Sequence, residues 1–232
     1  MKKLLLAGIA LLAMAPGARA GILAQYSVNG GATFTTLCSA ASGTSCGSTG
    51  AISDGLSFTL FGVTSNSPGT PQDANLLSAT VRLLNPTNAV QSVVLLIGDT
   101  GFMQPHTPPP VSLLNSIAGT VVTGGGTNVF TSQACLSNSN AQNACPGSIE
   151  SPLITANITL PGVGAQSNNT AVTNLSAPFS MTELLHITLD PGSNINFSAS
   201  SDVVPVPEPS AMLALGIGML GLGFVANKKR NI

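Results

Sequence analysis

Tryptophan is absent from this chain, tyrosine occurs once, at Tyr26, and only 6% of the residues are charged. So few flat aromatics leave little from which to build a stacking platform for sugars or nucleobases. Basic residues are scarcer than their total suggests. Lys2, Lys3 and Arg19 lie at the N-terminus and Lys228, Lys229 and Arg230 at the C-terminus, so Arg82 is the only basic residue between them. All eight acids (Asp54, Asp73, Asp99, Glu150, Glu183, Asp190, Asp202 and Glu208) fall within residues 21–209, and against Arg82 alone they give that stretch a net charge near −7. Such a surface has nothing with which to neutralise phosphates, which excludes nucleic acid as a partner. It also repels anionic polymers unless divalent cations bridge the two. Solubility then falls to Ser, Thr, Asn and Gln.

Catalytic patterns are missing too. The two histidines, His106 and His186, stand apart in the sequence, in a proline-rich loop and at an alternate position of a strand-like run. No Gly-x-Ser-x-Gly elbow singles out a nucleophile, and neither a Walker nor a dinucleotide glycine pattern occurs. Gly124-Gly125-Gly126 reads as a hairpin or linker, since no lysine or helix follows it. Ser53-Asp54-Gly55 and Asp99-Thr100-Gly101 read as turns, because neither has the dense oxygen-ligand spacing of a calcium loop. No catalytic residue, cofactor or metal site is assigned, and the chain is read as a non-enzyme.

The two ends are the most specific parts. Lys2-Lys3 precede an apolar run, Leu4–Met14, then Pro16-Gly17 and Ala18-Arg19-Ala20. That is the layout of a secretory signal peptide over residues 1–20, with cleavage expected between Ala20 and Gly21. Its partners are the secretion translocon and signal peptidase. At the other end Pro207-Glu208-Pro209 is followed by Ser210, an uncharged run from Ala211 to Ala226, and Asn227-Lys228-Lys229-Arg230. The prolines disfavour helix as far as Pro209. The run would be about 24 Å long as a helix, a short span for a bilayer core of about 30 Å. We therefore expect a transmembrane helix over 211–226 and a basic cytoplasmic tail over 227–232, with Lys228, Lys229 and Arg230 as the membrane stop. Residues 203–210 read as a stiff proline-rich spacer between domain and membrane.

The remaining 21–202 suit one exported domain. Its four cysteines form two local pairs, and export to an oxidising compartment favours disulfides Cys38–Cys46 and Cys135–Cys145 over the crossed pairings. A zinc site would want CxxC spacing or a nearby histidine, and has neither. Strand-like runs follow one another at Ile22–Val28, Thr33–Cys38, Leu56–Val63, Leu77–Leu83, Val90–Ile97, Val111–Ala118, Gly119–Thr123, Thr127–Ala134, Leu153–Leu160, Pro178–Leu189 and Asn194–Ser200. Gly/Pro/Asn turns separate them, and helical periodicity is almost missing. The fold class is mainly β, an antiparallel β-sandwich, with a β-helix as the alternative. Phe34, Phe58, Phe61, Phe102, Phe130, Phe179 and aliphatics are the expected core.

The order Pro-Glu-Pro, short apolar segment, basic stop resembles the PEP-CTERM sorting signal of Gram-negative, exopolysaccharide-making bacteria. The resemblance implies a membrane-embedded exosortase as partner, with Pro207, Glu208 and Pro209 as recognition positions and the apolar segment removed on processing. It implies an inner-membrane-tethered precursor that ends at the cell surface or in the extracellular matrix. The function expected is thus a non-enzymatic exported surface or exopolysaccharide-matrix protein. The alternatives are a carbohydrate-binding or adhesive sandwich module and, further off, a secreted hydrolase.

Overall fold

The structure, a computed structural model, describes residues 21–206 apart from 53–54, 109, 147–148 and 160–161. Two sheets lie face to face. In chain order the strands are β1 (Gly21–Ser27), β2 (Thr35–Ala41), β3 (Ser45–Ala51), β4 (Ser57–Ser65), β5 (Ala74–Leu84), β6 (Gln91–Phe102) and β7 (Val111–Thr123). Then come β8 (Thr127–Ser137), β9 (Ile149–Glu150), β10 (Ile154–Thr159), β11 (Gly162–Val172), β12 (Phe179–Leu189) and β13 (Asn194–Pro205). One sheet runs β10-β8-β12-β6-β1-β2 with β9 beside β8, and the other runs β11-β7-β13-β5-β4-β3. All pairings among the described residues are antiparallel. This is the expected mainly β sandwich. The antiparallel ladders leave no place for a β-helix, which needs parallel coils.

Most strands read from the alternation are present, with three kinds of correction. The runs 111–118 and 119–123 are a single strand, β7, because Gly119 continues the ladder opposite Phe197 and Gly164. β6 does not stop at Gly98 but continues to Phe102, so Asp99-Thr100-Gly101 is strand rather than turn. β3 and β11 were not foreseen, since Ser, Thr, Gly and Asn give them almost no hydrophobic alternation. Nor is Gly124-Gly125-Gly126 a hairpin within one sheet: it carries the chain from β7 to β8 in the opposite sheet. The turn at 190–193 crosses between sheets in the same way.

Side chains of odd number on β7, β12 and β13 point inward, giving the alternating burial of Leu113, Ile117, Leu185, Ile187, Ile195 and Phe197. On β4 the inward face passes from Phe58 to Phe61 and Val63, and the register shifts between Phe58 and Leu60. An extra residue at a bulge switches the faces in this way. Phe130 and Phe197 meet across the two sheets with ring centroids 5.8 Å apart, while Phe102 and Phe179 stack at 5.5 Å within one sheet. Phe34 is only half-buried, in the turn before β2, and Phe197 takes the core place expected of it.

The core also holds a polar seam. Glu183 sits at an inward position of β12 with 0% exposure, and the Ser201 hydroxyl of β13 donates to its Oε1 across the sandwich at 3.2 Å. Ser201 is the register partner of Asn115 on β7. Asn115 in turn reaches the other sheet: its Nδ2 donates to the Ser132 carbonyl and to Ser151 Oγ, both at 3.2 Å, and its Oδ1 accepts from Ser132 Oγ at 2.9 Å. Ser151 Oγ also accepts from the Ala134 amide at 2.9 Å. Buried polar groups tied in this way fix one alignment of the sheets, because any slip would leave several unpaired.

Both expected disulfides are formed. Cys38 and Cys46, with Cα atoms 5.9 Å apart, join β2 to β3 and so staple the edge of one sheet to the edge of the other. Cys135 and Cys145, 5.5 Å apart, close the base of the segment after β8. Replacing both Cys38 and Cys46 by serine is expected to cost about 2–3 kcal/mol by the loop-entropy estimate. The measurement is the urea midpoint under non-reducing conditions. An unchanged midpoint would mean that the edges hold together without the bond.

Candidate functional site

Because the strands alternate direction, many chain ends collect at one end of the sandwich. Gly21 opens β1 there, opposite Ala41 at the end of β2. β13 also ends there, with Pro205 paired to Val111. The loops 42–44, 66–73, 103–110 and 173–178 lie at the same end.

These loops are laced to one another rather than left free. Ser42 Oγ and Ser67 Oγ both donate to the Thr100 carbonyl, at 3.1 and 3.0 Å. The amide of Met103 donates to the Pro68 carbonyl at 2.8 Å, and Thr107 donates to the Leu175 carbonyl through both its amide and its hydroxyl. Gly43 makes the turn between β2 and β3 at φ 69°, where a Cβ would collide with the Ser67 carbonyl oxygen. That turn needs glycine for both conformation and room. Asp99, fully buried, accepts from the Thr100 amide at 2.7 Å and from Ser42 Oγ at 3.4 Å. Its carboxylate thus supports the lacing and is shielded from solvent.

A second feature, absent from the sequence reading, is a strap formed by residues 138–146 over the outer face of β1, β6 and β12. Asn140 Oδ1 accepts from the Gly101 amide at 2.7 Å, and Gln142 Nε2 donates to the Gly98 carbonyl at 3.0 Å. Asn143 Nδ2 donates to Gln25 Oε1 at 2.8 Å, and Ser180 Oγ donates to the Ala141 carbonyl at 2.7 Å. Asn140 and Asn143 adopt φ of 54° and 52°, the left-handed region that asparagine tolerates. Gly98 is required beneath the strap, since a Cβ would strike Asn143 Oδ1. Beside it lies an open groove of about 510 Å³ lined by Gly21, Leu23, Ser39, Ala41 and Gln142. The asparagine repetition at 138, 140 and 143 was the available signal for the strap.

His186 is exposed on the outside of β12, between Val94 and Thr131 on the neighbouring strands. His106 is half-buried, its Nδ1 3.2 Å from the Thr107 carbonyl oxygen. Among the described residues neither histidine is hydrogen-bonded to a carboxylate, and no three His, Cys, Asp or Glu side chains gather closely enough to hold a metal. No helix among the described residues is long and apolar enough to cross a membrane.

The end of the domain alters one boundary. β13 runs through Val203 and Val204 to Pro205, and the Val206 amide donates to the Pro110 carbonyl at 2.8 Å. Residues 203–205 therefore belong to the sheet, not to a free spacer. The pairing partners on β5 and β7 hold them there. Pro207, Glu208 and Pro209, the apolar run 211–226, the stop Lys228, Lys229 and Arg230, and the signal-peptide residues up to Ala20 lie outside the described residues. The sequence beyond this last hydrogen bond is what decides the family resemblance. Residues 205–230 match the PEP-CTERM protein-sorting motif. The chain carries a PEP-CTERM sorting motif, which implies an exported, membrane-processed protein. Its sorting motif begins on the last residue of a strand in the interior of a sheet.

No curated protein matches the sequence. Solved structures similar to the PEP-CTERM chain include a carbohydrate-binding module, TmCBM61, in complex with β-1,4-galactotriose, at 8% identity over 63% of this chain and 87% of that one, TM-score 0.26. Another is the C-terminal family 22 carbohydrate-binding module of Clostridium thermocellum Xyn10B, at 12% identity over 63% and 94%, TM-score 0.29. A third is TmCBM27, a mannan-recognising module, at 9% identity over 70% and 90%, TM-score 0.31. Likeness this faint assigns no ligand to the PEP-CTERM chain.

Proposed function

We propose that this protein is a non-enzymatic, exported cell-surface or exopolysaccharide-matrix protein that an exosortase sorts through its C-terminal tail. The PEP-CTERM motif over 205–230 carries the reading. Pro207, Glu208 and Pro209 are the recognition positions, the run 211–226 is the transient anchor, and Lys228, Lys229 and Arg230 hold the end in the cytoplasm. Cleavage between Ala20 and Gly21 by signal peptidase, after passage through the translocon, would leave β1 intact from its first residue. A Gram-negative envelope, with its inner membrane and outer polysaccharide, is the setting. The sugar-binding alternative is disfavoured by the surface. Tyr26 packs against the core, and no aromatic is among the large exposed apolar side chains of the described residues.

The test is the mature C-terminus in cells that carry the sorting enzyme. Wild-type protein is expected to lose Ile232 and the apolar run, whereas Pro207→Ala, Glu208→Ala and Pro209→Ala together keep them. Mass spectrometry finding Ile232 retained in both proteins would leave a permanent anchor instead of a sorting signal.

A further inference from the structure

The distance from the last sheet hydrogen bond to the membrane segment is set by covalent geometry. Val206 is fixed to Pro110, and the apolar run begins at Ala211. Five residue steps span at most about 16–18 Å when extended. The polar layer on one side of a bilayer is itself about 5–8 Å deep. The domain thus has at most about 13 Å of slack, less than the width of a six-stranded sheet. Pro207 and Pro209 stiffen the link further, so it acts as a strut rather than a leash.

The loops facing this strut suit a lipid surface. Across 42–44, 66–73, 103–110 and 173–178 the only Asp, Glu, Lys or Arg is Asp73, and its carboxylate already accepts from Thr70 Oγ1 at 2.7 Å. Met103 and Val206 are 49% and 39% exposed there, and Pro68, Pro108, Pro110 and Pro178 are exposed beside them. In a body with a net charge near −7, these loops bring only Asp73, and the link only Glu208, within a Debye length of about 8–10 Å of the headgroups, so repulsion from anionic lipid is small at this end. The lacing of these loops makes the face rigid.

We infer that the tethered precursor stands upright on the bilayer, with this proline-rich loop end seated on the lipid headgroups and the opposite end pointing away. The inference rests on the membrane-anchored reading above. It adds an interaction surface, Met103 and the neighbouring prolines, and names its partner as lipid.

The absence of tryptophan gives a clean probe. Met103→Trp and, at the far end, Val90→Trp are each introduced into the full chain. The two positions are separated by the 12-residue strand β6, about 40 Å at 3.3 Å per residue. The proteins are reconstituted in vesicles of phosphatidylethanolamine and phosphatidylglycerol whose acyl chains are brominated near the glycerol backbone. Fluorescence of the Met103→Trp protein is expected to be blue-shifted and quenched roughly twofold or more, with that of the Val90→Trp protein unchanged. Inserting about a dozen Gly/Ser residues between Val206 and Pro207 should abolish the quenching while the protein still floats with the vesicles. If the chain does not float with the vesicles, the anchored reading fails and the inference with it. If it floats and Met103→Trp is unquenched, or protected only in membranes containing the sorting enzyme, the seating on lipid alone is overturned. Quenching that survives the inserted linker would overturn the strut as its cause.

Discussion

Phe130→Ala is expected to lower the stability of the disulfide-bonded protein by about 3–5 kcal/mol, the usual cost of a buried Phe→Ala truncation. Phe130 is fully buried on β8 and meets Phe197 of β13 from the facing sheet, so its removal opens a hole between the layers. With Phe197 at 3% exposure and Phe130 laddered between Ala156 and Ile187, the site has little freedom to collapse. For a domain of this size the loss corresponds to a Tm drop of roughly 6–20 °C. Calorimetry showing a drop below the bottom of that range would mean that the sheets close over the space and that the packing between them is loose.

Asn115→Leu tests the polar seam and is expected to cost about 3 kcal/mol. The substitution keeps the volume but strands Ser132 Oγ without its acceptor and removes the donor that Ser151 Oγ and the Ser132 carbonyl share. Each orphaned group costs about 1–3 kcal/mol, so the loss comes from what remains rather than from what was removed. Adding Ser132→Ala should therefore recover about 1 kcal/mol or more, because one of the stranded groups leaves with it. Strictly additive losses in a double-mutant cycle by denaturant titration would show that the two residues do not depend on one another.

The frame of this protein was legible where burial imposes alternation. Val111 to Thr123 and Phe179 to Leu189 show the period of two that burying one face requires; the second is a strand within a residue of its reading, and the first joins the runs 111–118 and 119–123 into one. Legibility failed where pairing, not burial, makes the strand. β3 and β11 lie on or near sheet edges and are built from Ser, Gly, Asn and Thr, so backbone ladders stabilise them and the side chains record nothing. Asp99-Thr100-Gly101 looked like a turn because its composition is that of a turn. Pairing of Asp99 with Met181 on β12 overrides that local preference. Glu183 was visible in principle, standing at the inward parity of Met181 and Leu185, yet a carboxyl in a core runs against expectation unless its partners are known. For the sorting site the balance is reversed. The sorting motif over 205–230 was plain from the sequence, while its start on a strand flanked on both sides could only come from three-dimensional pairing.

That attachment also governs when the molecule can become itself. β13 lies between β5 and β7, so one of the two sheets stays divided until its final strand is present. A chain exported amino end first would deliver that strand last. Until then that sheet stands as two parts, β11-β7 and β5-β4-β3, while the strands of the facing sheet are all present. Arrival of the address and completion of the fold are then one event, and a truncated product that never reached the membrane would be marked by its own failure to close.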